Sequence, residues 1–594
     1  MLLRDSQLAV DAGSAALVTI ADLPDVSPAV LEAIEARLPD GQHVDLDPGI
    51  GALTRRMAEH RLAFVTDPSE RASIYHNLGF RLSNAGFSGE ALDATQEAVA
   101  IRRRLARIGR RRLLMRANPA AYEPDLALSL TNLSGRLAEM GRPDEALAAI
   151  QEAVTIRRRL ANADPVHEPD LATSLAQLSI SLSQLGDLDD ALTAAQNAVA
   201  IRRRHAQGDA ASEQELATSL DNLGIRLSNA GLLKEALTAS EEATEILRRM
   251  AHANRSVHEF DLARSLVNLA ARLAGVGRID EALTIGQEAA TVLNQLARGN
   301  PAKYEPYLAM SLNNLGVWLS DVGRREEGLA VTQESVDIKR RLVLGDPTAY
   351  EPDLAMSLDN LGSQLAEIGR PEEGLTATQD ALAIRRRLAQ VNPAAFEHDL
   401  AASLNNLGVW LARVERQEEA LVATQESVEM KRRLAQRHPD AYEPDLAGSL
   451  DNLARRLLKA GRPGEARAAI DEAVMLYRKV THNAPGTHEP DLARALWTFA
   501  WTRSVMHTEL IEAFSSICES VRVYQRLTEQ NAPAFASSLT DALRTAADVL
   551  HGLGQMEGAV LLRRLVETGE LDEAAAWLQE NGRREGAWPR MGPG

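Results

Sequence analysis

Between residues 71 and 554 the chain alternates two kinds of amphipathic stretch, in each of which apolar residues recur every three or four positions. In the segment beginning at Tyr122, Leu126, Leu130, Leu133 and Leu137 make one stripe, and Ala146, Leu147, Ile150, Ala153, Val154 and Ile156 make another. Such spacing lines up side chains on one face of a helix. Pro124, flanked by Glu123 and Asp125, suits a first helical turn; Gly141 ends that helix, and Pro143-Asp144-Glu145 starts another. Arg157, Arg158 and Arg159 fall near the carboxyl end of the second helix, and Asp164-Pro165 closes the loop. A single helical hairpin cannot cover its own apolar face. Neighbouring hairpins stacked side by side can, so the pattern predicts an all-α solenoid.

The same module returns along the chain. The string Ser-Leu-x-Asn-Leu, or a close variant, places its asparagine at Asn77, Asn132, Asn222, Asn268, Asn314, Asn360, Asn406 and Asn452, with Gln177 filling the gap in the series. From Asn132 to Asn452 the spacing is 45 or 46 residues. Degenerate copies follow around Thr498 and Asp541, which makes about eleven units. The run from Ser311 to Leu319 recurs letter for letter from Ser403 to Leu411, two units later, so pairs of units were duplicated. Residues 1–70 lack the motif and are expected to form a helical cap or a diverged repeat. Residues 71–554 make the array, 555–582 add capping helices, and 583–594 read as a disordered tail.

Composition narrows the function. The 594 residues carry 65 Lys and Arg against 83 Asp and Glu, a net charge of −18, which argues against a phosphate-reading surface spread over the whole molecule. Aromatics are 4% of the chain, so the core is built from Ala and Leu. The single cysteine, Cys518, excludes an intramolecular disulfide and a thiolate-rich zinc site. No stretch approaches the roughly 20 apolar residues that a membrane-spanning helix needs. A soluble, cytoplasmic protein without membrane contact is expected.

In the unit above, Leu130, Leu133, Ser134, Leu137, Ala146, Ile150 and Ala153 fall on positions 4, 7, 8, 11, 20, 24 and 27 of a pattern that resembles the tetratricopeptide repeat. The period here is about 46 instead of 34, and leucines stand where that family has aromatics at positions 4 and 11. Longer helices follow. With NNLG or NNLA in the first helix and an Arg-rich end to its partner, these lengthened units most resemble the repeats of kinesin light chains and of actinobacterial arrays. The resemblance implies a right-handed superhelix of helix-turn-helix units whose inner surface is lined by positions 2, 6, 9 and 13.

Motifs for chemistry are missing. Gly-Lys does not occur, which removes phosphate-binding loops, and neither His-Glu-x-x-His nor G-x-S-x-G is present. Gly49-Ile50-Gly51 lacks the third glycine of a dinucleotide site. His167, His258 and His488 occupy a loop position held elsewhere by Tyr or Phe, which marks a packing role, and nothing supplies a base for Cys518. The sequence therefore assigns no catalytic residue, no metal ligand and no cofactor, and predicts a non-enzymatic protein.

What remains is a candidate binding face. The recurring asparagine sits at position 6, where an amide offers both a donor and an acceptor to a ligand backbone; the alternative is that it bonds neighbouring helices and sets the stacking. Arg413 and Lys459 at position 13, Arg455 at position 9 and Arg494 at position 2 are expected to converge on the groove of units eight to ten; the alternative is that neighbouring acids such as Glu415 or Asp451 neutralise them in ordinary surface pairs. Trp501, at position 9, joins them as a groove candidate, whereas Trp318 and Trp410 at position 10 are expected to fill space between units. The arginine triplets, such as Arg202 to Arg204 and Arg385 to Arg387, read as solvated, dipole-compensating faces. The stretch Arg102 to Arg116 reads as a lengthened second helix or a basic docking loop, since without aromatics it lacks the stacking platform of single-strand binders. Together these residues predict a protein–protein interaction scaffold that captures an acidic peptide or segment in its groove. A regulatory array acting with a separately encoded signalling ATPase or caspase-like effector is the alternative, and nucleic acid is not the expected partner.

Overall fold

The computed structural model describes residues 12–23, 26–38, 47–84, 87–111, 122–206, 210–437, 439–483, 488–530 and 532–582. Among them it contains 26 α-helices, one short 3-10 turn at Pro165–His167 and no strand. Three helices, Ser14–Asp22, Pro28–Glu35 and Asp47–Phe64, come first. Eleven helix pairs follow, from Pro68–Asn84 with Ser88–Arg111 to Ala532–Gly552 with Met556–Thr568, and Leu571–Gly582 comes last. The chain divides into two structural blocks, Met1–Leu342 and Val343–Gly594. Within each block every hairpin packs on the next. The expected tail at 583–594 and the part of the basic insertion at 112–121 lie outside the described residues.

Hairpins form because each stripe is buried twice, once against its partner helix and once against the neighbouring unit. Leu130, Ile150 and Ala153 have no exposed surface, and they share a cluster with Leu126 of their own unit and Ala172 and Leu175 of the next. Small residues set the spacing: a Cβ at Gly316 would lie 2.9 Å from the Gly328 carbonyl oxygen, so the two helices of that hairpin meet backbone to backbone. The turn inside each hairpin needs a left-handed residue, supplied by Gly141, Gly231, Gly277, Gly323, Gly369 and Gly461. Glu415 occupies that place in one unit, with φ 63.

The structure extends one expectation and corrects another. Asp164-Pro165 lies in the connection between Pro143–Ala163 and Glu168–Gln184, but in the later units the equivalent Asp/Asn-Pro dipeptide opens the next helix. Asn300 accepts the Lys303 amide at 3.2 Å and Asp346 accepts the Ala349 amide at 3.1 Å, with proline just inside. First helices there run 21 residues, as in Pro301–Asp321 and Pro347–Glu367, and Pro306 and Pro352 lie inside them.

The arginine triplets are not uniformly solvated either. Their first residue is buried and reaches into the next unit: Arg157 hydrogen-bonds the Asp170 carbonyl and, at 2.9 Å, Ser174, while Arg385 bonds Asp359 and Ser403. Their second residue pairs with a glutamate on the next unit's second helix, as in Arg432–Glu472 at 2.6 Å and Arg248–Glu288 at 2.9 Å. The third turns back to its own unit's first helix, as in Arg159–Glu123 at 2.6 Å and Arg433–Glu397 at 2.8 Å. Three adjacent cations differ because successive helical residues are separated by about 100°, which aims each at a different neighbour.

Candidate functional site

Position 5 of the first helix, just before the recurring asparagine, is polar or charged in most units, and in several the stacking buries it. Asp221, Asp359 and Asp451 are 1%, 7% and 0% exposed. Each meets this burial differently. Asp359 is paired with Arg385, the first residue of its own unit's triplet, and accepts from Ser403 at 2.7 Å. Asp451 lies 2.8 Å from Arg494 and 3.6 Å from Arg455, and those cations hold its carboxyl below the ordinary value against the opposing effect of burial. Asp221 has Leu247 in place of the triplet arginine. Burial pushes its carboxyl up to about 6, with Arg264 and hydrogen bonds from Ser265 and Asn268 only partly opposing the rise.

This row decides where the asparagine ladder points. Asn268 hydrogen-bonds Asp221 of the preceding unit, and Asn452 donates to the Asn405 Oδ1 of its preceding unit at 3.0 Å while accepting from Arg455. At these two positions the amide is engaged between repeats. Asn77 is exposed, and Asn132, Asn222, Asn314, Asn360 and Asn406 are half-buried.

Three of the four expected cations do meet. Arg413, Arg455 and Lys459 line one cleft of about 500 Å³ between the first helices Pro393–Arg413 and Pro439–Lys459, and Arg456 joins them. Glu415 is the one carboxylate of that lining. Arg413 lies 4.7 Å over the ring of buried Trp410, which fixes its stem, while Lys459 is exposed. Burial, with Arg455 and Arg413 nearby, pushes the Arg456 guanidinium down to about 10, although Asp451 opposes the shift. The Nε atoms of Arg455 and Arg456 are buried without a hydrogen-bond partner. This is a concentrated positive field in a molecule of negative net charge.

Arg494 does not join that cleft, because salt bridges to Asp451 and, at 3.0 Å, to Asp491 hold it over a different pocket. Trp501 is half-buried and stacks on Trp497, ring centroids 6.3 Å apart; it is not among the cleft-lining residues. Trp318 and Trp410 are buried, and Trp318 packs on Gly286 of the preceding unit. Arg456 and the position-5 aspartates Asp221 and Asp359 were not anticipated, whereas Asp451 pairs with Arg455 and Arg494 as the neutralising alternative foresaw. Their signal was present as a polar residue recurring one place before the asparagine, inside an otherwise apolar helix face. Among the described residues no group of His, Cys, Asp and Glu is arranged to hold a metal ion, and no helix is long and apolar enough to cross a membrane.

Sequence comparison gives the class. Tetratricopeptide repeat profiles match residues 125–204 and, separately, 71–106, 216–251, 308–347, 400–440 and 446–481. The chain belongs to the tetratricopeptide repeat family, whose stacked hairpins are protein–protein interaction scaffolds. Solved structures similar to it include BtubC (BKLC) from P. vanneervenii, 19% identical, covering 42% of this chain and 92% of that one with a TM-score of 0.34. The apo form of RapI is 15% identical, covering 54% and 99% with a TM-score of 0.39. A kinesin light chain-like protein of Podosopora anserina with nearly identical TPR-like repeats is 21% identical, covering 40% and 99% with a TM-score of 0.29. No curated protein matches the chain.

Proposed function

We propose that the cleft of Arg413, Arg455, Arg456 and Lys459 captures an acidic segment of a partner protein. The observation that supports this reading is the meeting of four cations with a single carboxylate in the lining of a cleft of about 500 Å³, with buried Asp451 behind it offsetting part of the Arg455 and Arg456 charge. Like charges brought together cost free energy, and an incoming carboxylate relieves that cost while replacing water on the guanidinium edges. Arg455 and Arg456 are half-buried and supply the wall; Arg413, seated on Trp410, and Lys459 form the exposed rim. The stacked helices act as a rigid support, which suits a peptide of extended or helical shape. The ladder amides at Asn268 and Asn452 belong to the joints between repeats, so selectivity comes from the cations.

Fluorescence anisotropy of a labelled Glu-rich peptide tests the proposal, with a Lys-rich peptide of equal length as control. The full chain should bind the acidic peptide, and the double variant Arg413→Glu/Lys459→Glu should lose at least tenfold in affinity with unchanged helicity. Both residues are exposed, so neither reversal disturbs a buried pair. Equal binding of both peptides, or an unaffected double variant, removes the cleft as the site.

A further inference from the structure

A second pocket, independent of the cationic cleft, exists because one repeat combines two departures from the common pattern. Position 2 of the first helix carries a side chain in the other units, among them Leu128, Thr173, Met310 and Met356, but Gly448 in this one. The buried row that holds Arg102, Arg157, Arg202, Arg385 and Lys431 in other units carries Tyr477 here. A Cβ at Gly448 would lie 3.0 Å from the Tyr477 hydroxyl, so the missing side chain leaves open the space over that ring. The result is a polar pocket of about 260 Å³, just below the roughly 300–1,000 Å³ that ligand sites span, which limits any occupant to a small molecule.

One wall donates. In the preceding joint the long Arg385 side chain reaches both the Asp399 carbonyl and Ser403. Here the corresponding cation is Lys431, 6% exposed, whose ammonium makes one hydrogen bond among the described residues, to the Asp445 carbonyl at 3.3 Å. Ser449, 1% exposed and the counterpart of Ser403, is left with its hydroxyl buried and unpartnered. An ammonium has three donors, so Lys431, Ser449 and Tyr477 together present unspent hydrogen-bonding capacity to the pocket. The lining also carries the carboxylates of Asp445, whose charge acts on Lys431, and Asp491, which pairs with Arg494 at 3.0 Å; each is more than a third exposed and keeps acceptor capacity. Arg494 also lines the pocket, where buried Asp451 and half-exposed Asp491 both pair with it.

We propose that this pocket binds a free α-amino acid. The ligand carboxylate meets Lys431 and Ser449, and its ammonium faces Asp445 and Asp491. A carboxylate alone is repelled by Asp445 and Asp491, and an amine alone is repelled by the buried Lys431. The zwitterion satisfies both walls at once and brings no net charge into the site.

Isothermal titration calorimetry on the full chain with glycine, serine and glutamate tests this, with succinate and ethylamine as single-charge controls. At least one amino acid should bind at least tenfold more tightly than either control. Gly448→Met, which installs the residue that two other units carry at this place, should fill the pocket and abolish binding while the circular dichroism spectrum is unchanged. Lys431→Met gives a further reading if Gly448→Met does not fold, and should weaken binding at least tenfold. Absence of binding by all three amino acids, equal binding of succinate or ethylamine, or retained affinity in a folded variant overturns the proposal. The acidic-peptide measurement reads the other cleft, so the two proposals fail separately.

Discussion

Asp221 offers the most direct measure of what the buried row costs. Its carboxylate sits 1% exposed with a leucine where Asp359 has an arginine, and burial moves its titration from 3.8 up to about 6. A carboxyl whose folded value lies above its unfolded value keeps its proton longer in the folded state, so its contribution to stability is greatest below about pH 4 and is lost as pH rises through about 6. The interval between 3.8 and about 6, at about 1.4 kcal/mol per pH unit, amounts to roughly 3 kcal/mol by pH 7. Asp221→Asn removes the charge and keeps the shape, and asparagine already occupies the same position as Asn313 and Asn405. The variant should therefore be more stable than the native chain at neutral pH by up to about 3 kcal/mol, with the advantage vanishing near pH 4. Hydrogen exchange read by mass spectrometry on the helix Ala210–Asn229 reports this locally, which suits an array whose units need not unfold together. Equal protection at pH 7, or a gap of the same size at pH 4, would refute the reasoning.

Other expectations rest on other joints. Arg385→Leu strands Asp359 and should destabilise by about 3 to 5 kcal/mol, whereas adding Asp359→Val should recover most of that loss, since Leu293 and Val267 fill the same two places naturally; denaturant melts without recovery would contradict the pairing. Glu415→Gly should relieve the left-handed backbone strain, worth about 1 kcal/mol, and tighten acidic-peptide binding severalfold by deleting the one carboxylate of the cleft lining; weaker binding would mean that Glu415 orders the cations. Peptide affinity should fall steeply as salt is raised across about 0.05 to 0.5 M, because the rim cations are exposed; an insensitive constant would point to apolar contact. Ala153→Leu should overpack a fully buried interface and cost about 1 to 3 kcal/mol by thermal melting, and an unaltered curve would contradict the packing.

The hairpins and their period were legible because Leu and Ala recur at helical spacing over some 480 residues, and a repeated pattern averages out local ambiguity. The cation cleft was legible for a related reason: Arg413, Arg455 and Lys459 depart from what earlier units carry at the same positions. Arg494 was misplaced because its partner, Asp451, belongs to another unit and pairs with it only after stacking. The triplets were misjudged for the same cause. Arg157 reads as one of three like charges at a helix end, and its burial depends on Asp170 and Ser174 of the following unit. Periodicity reports which face a residue occupies, and it is silent on what the next hairpin brings to that face.

The triplet geometry also bears on how such a chain could come to be long. Most modules carry both a plug, the cations ending the second helix, and a socket, the serine and glutamate that receive the plug of the module before. A copied segment therefore arrives with its coupling already matched at either border, and lengthening by duplication requires no new complementarity to evolve.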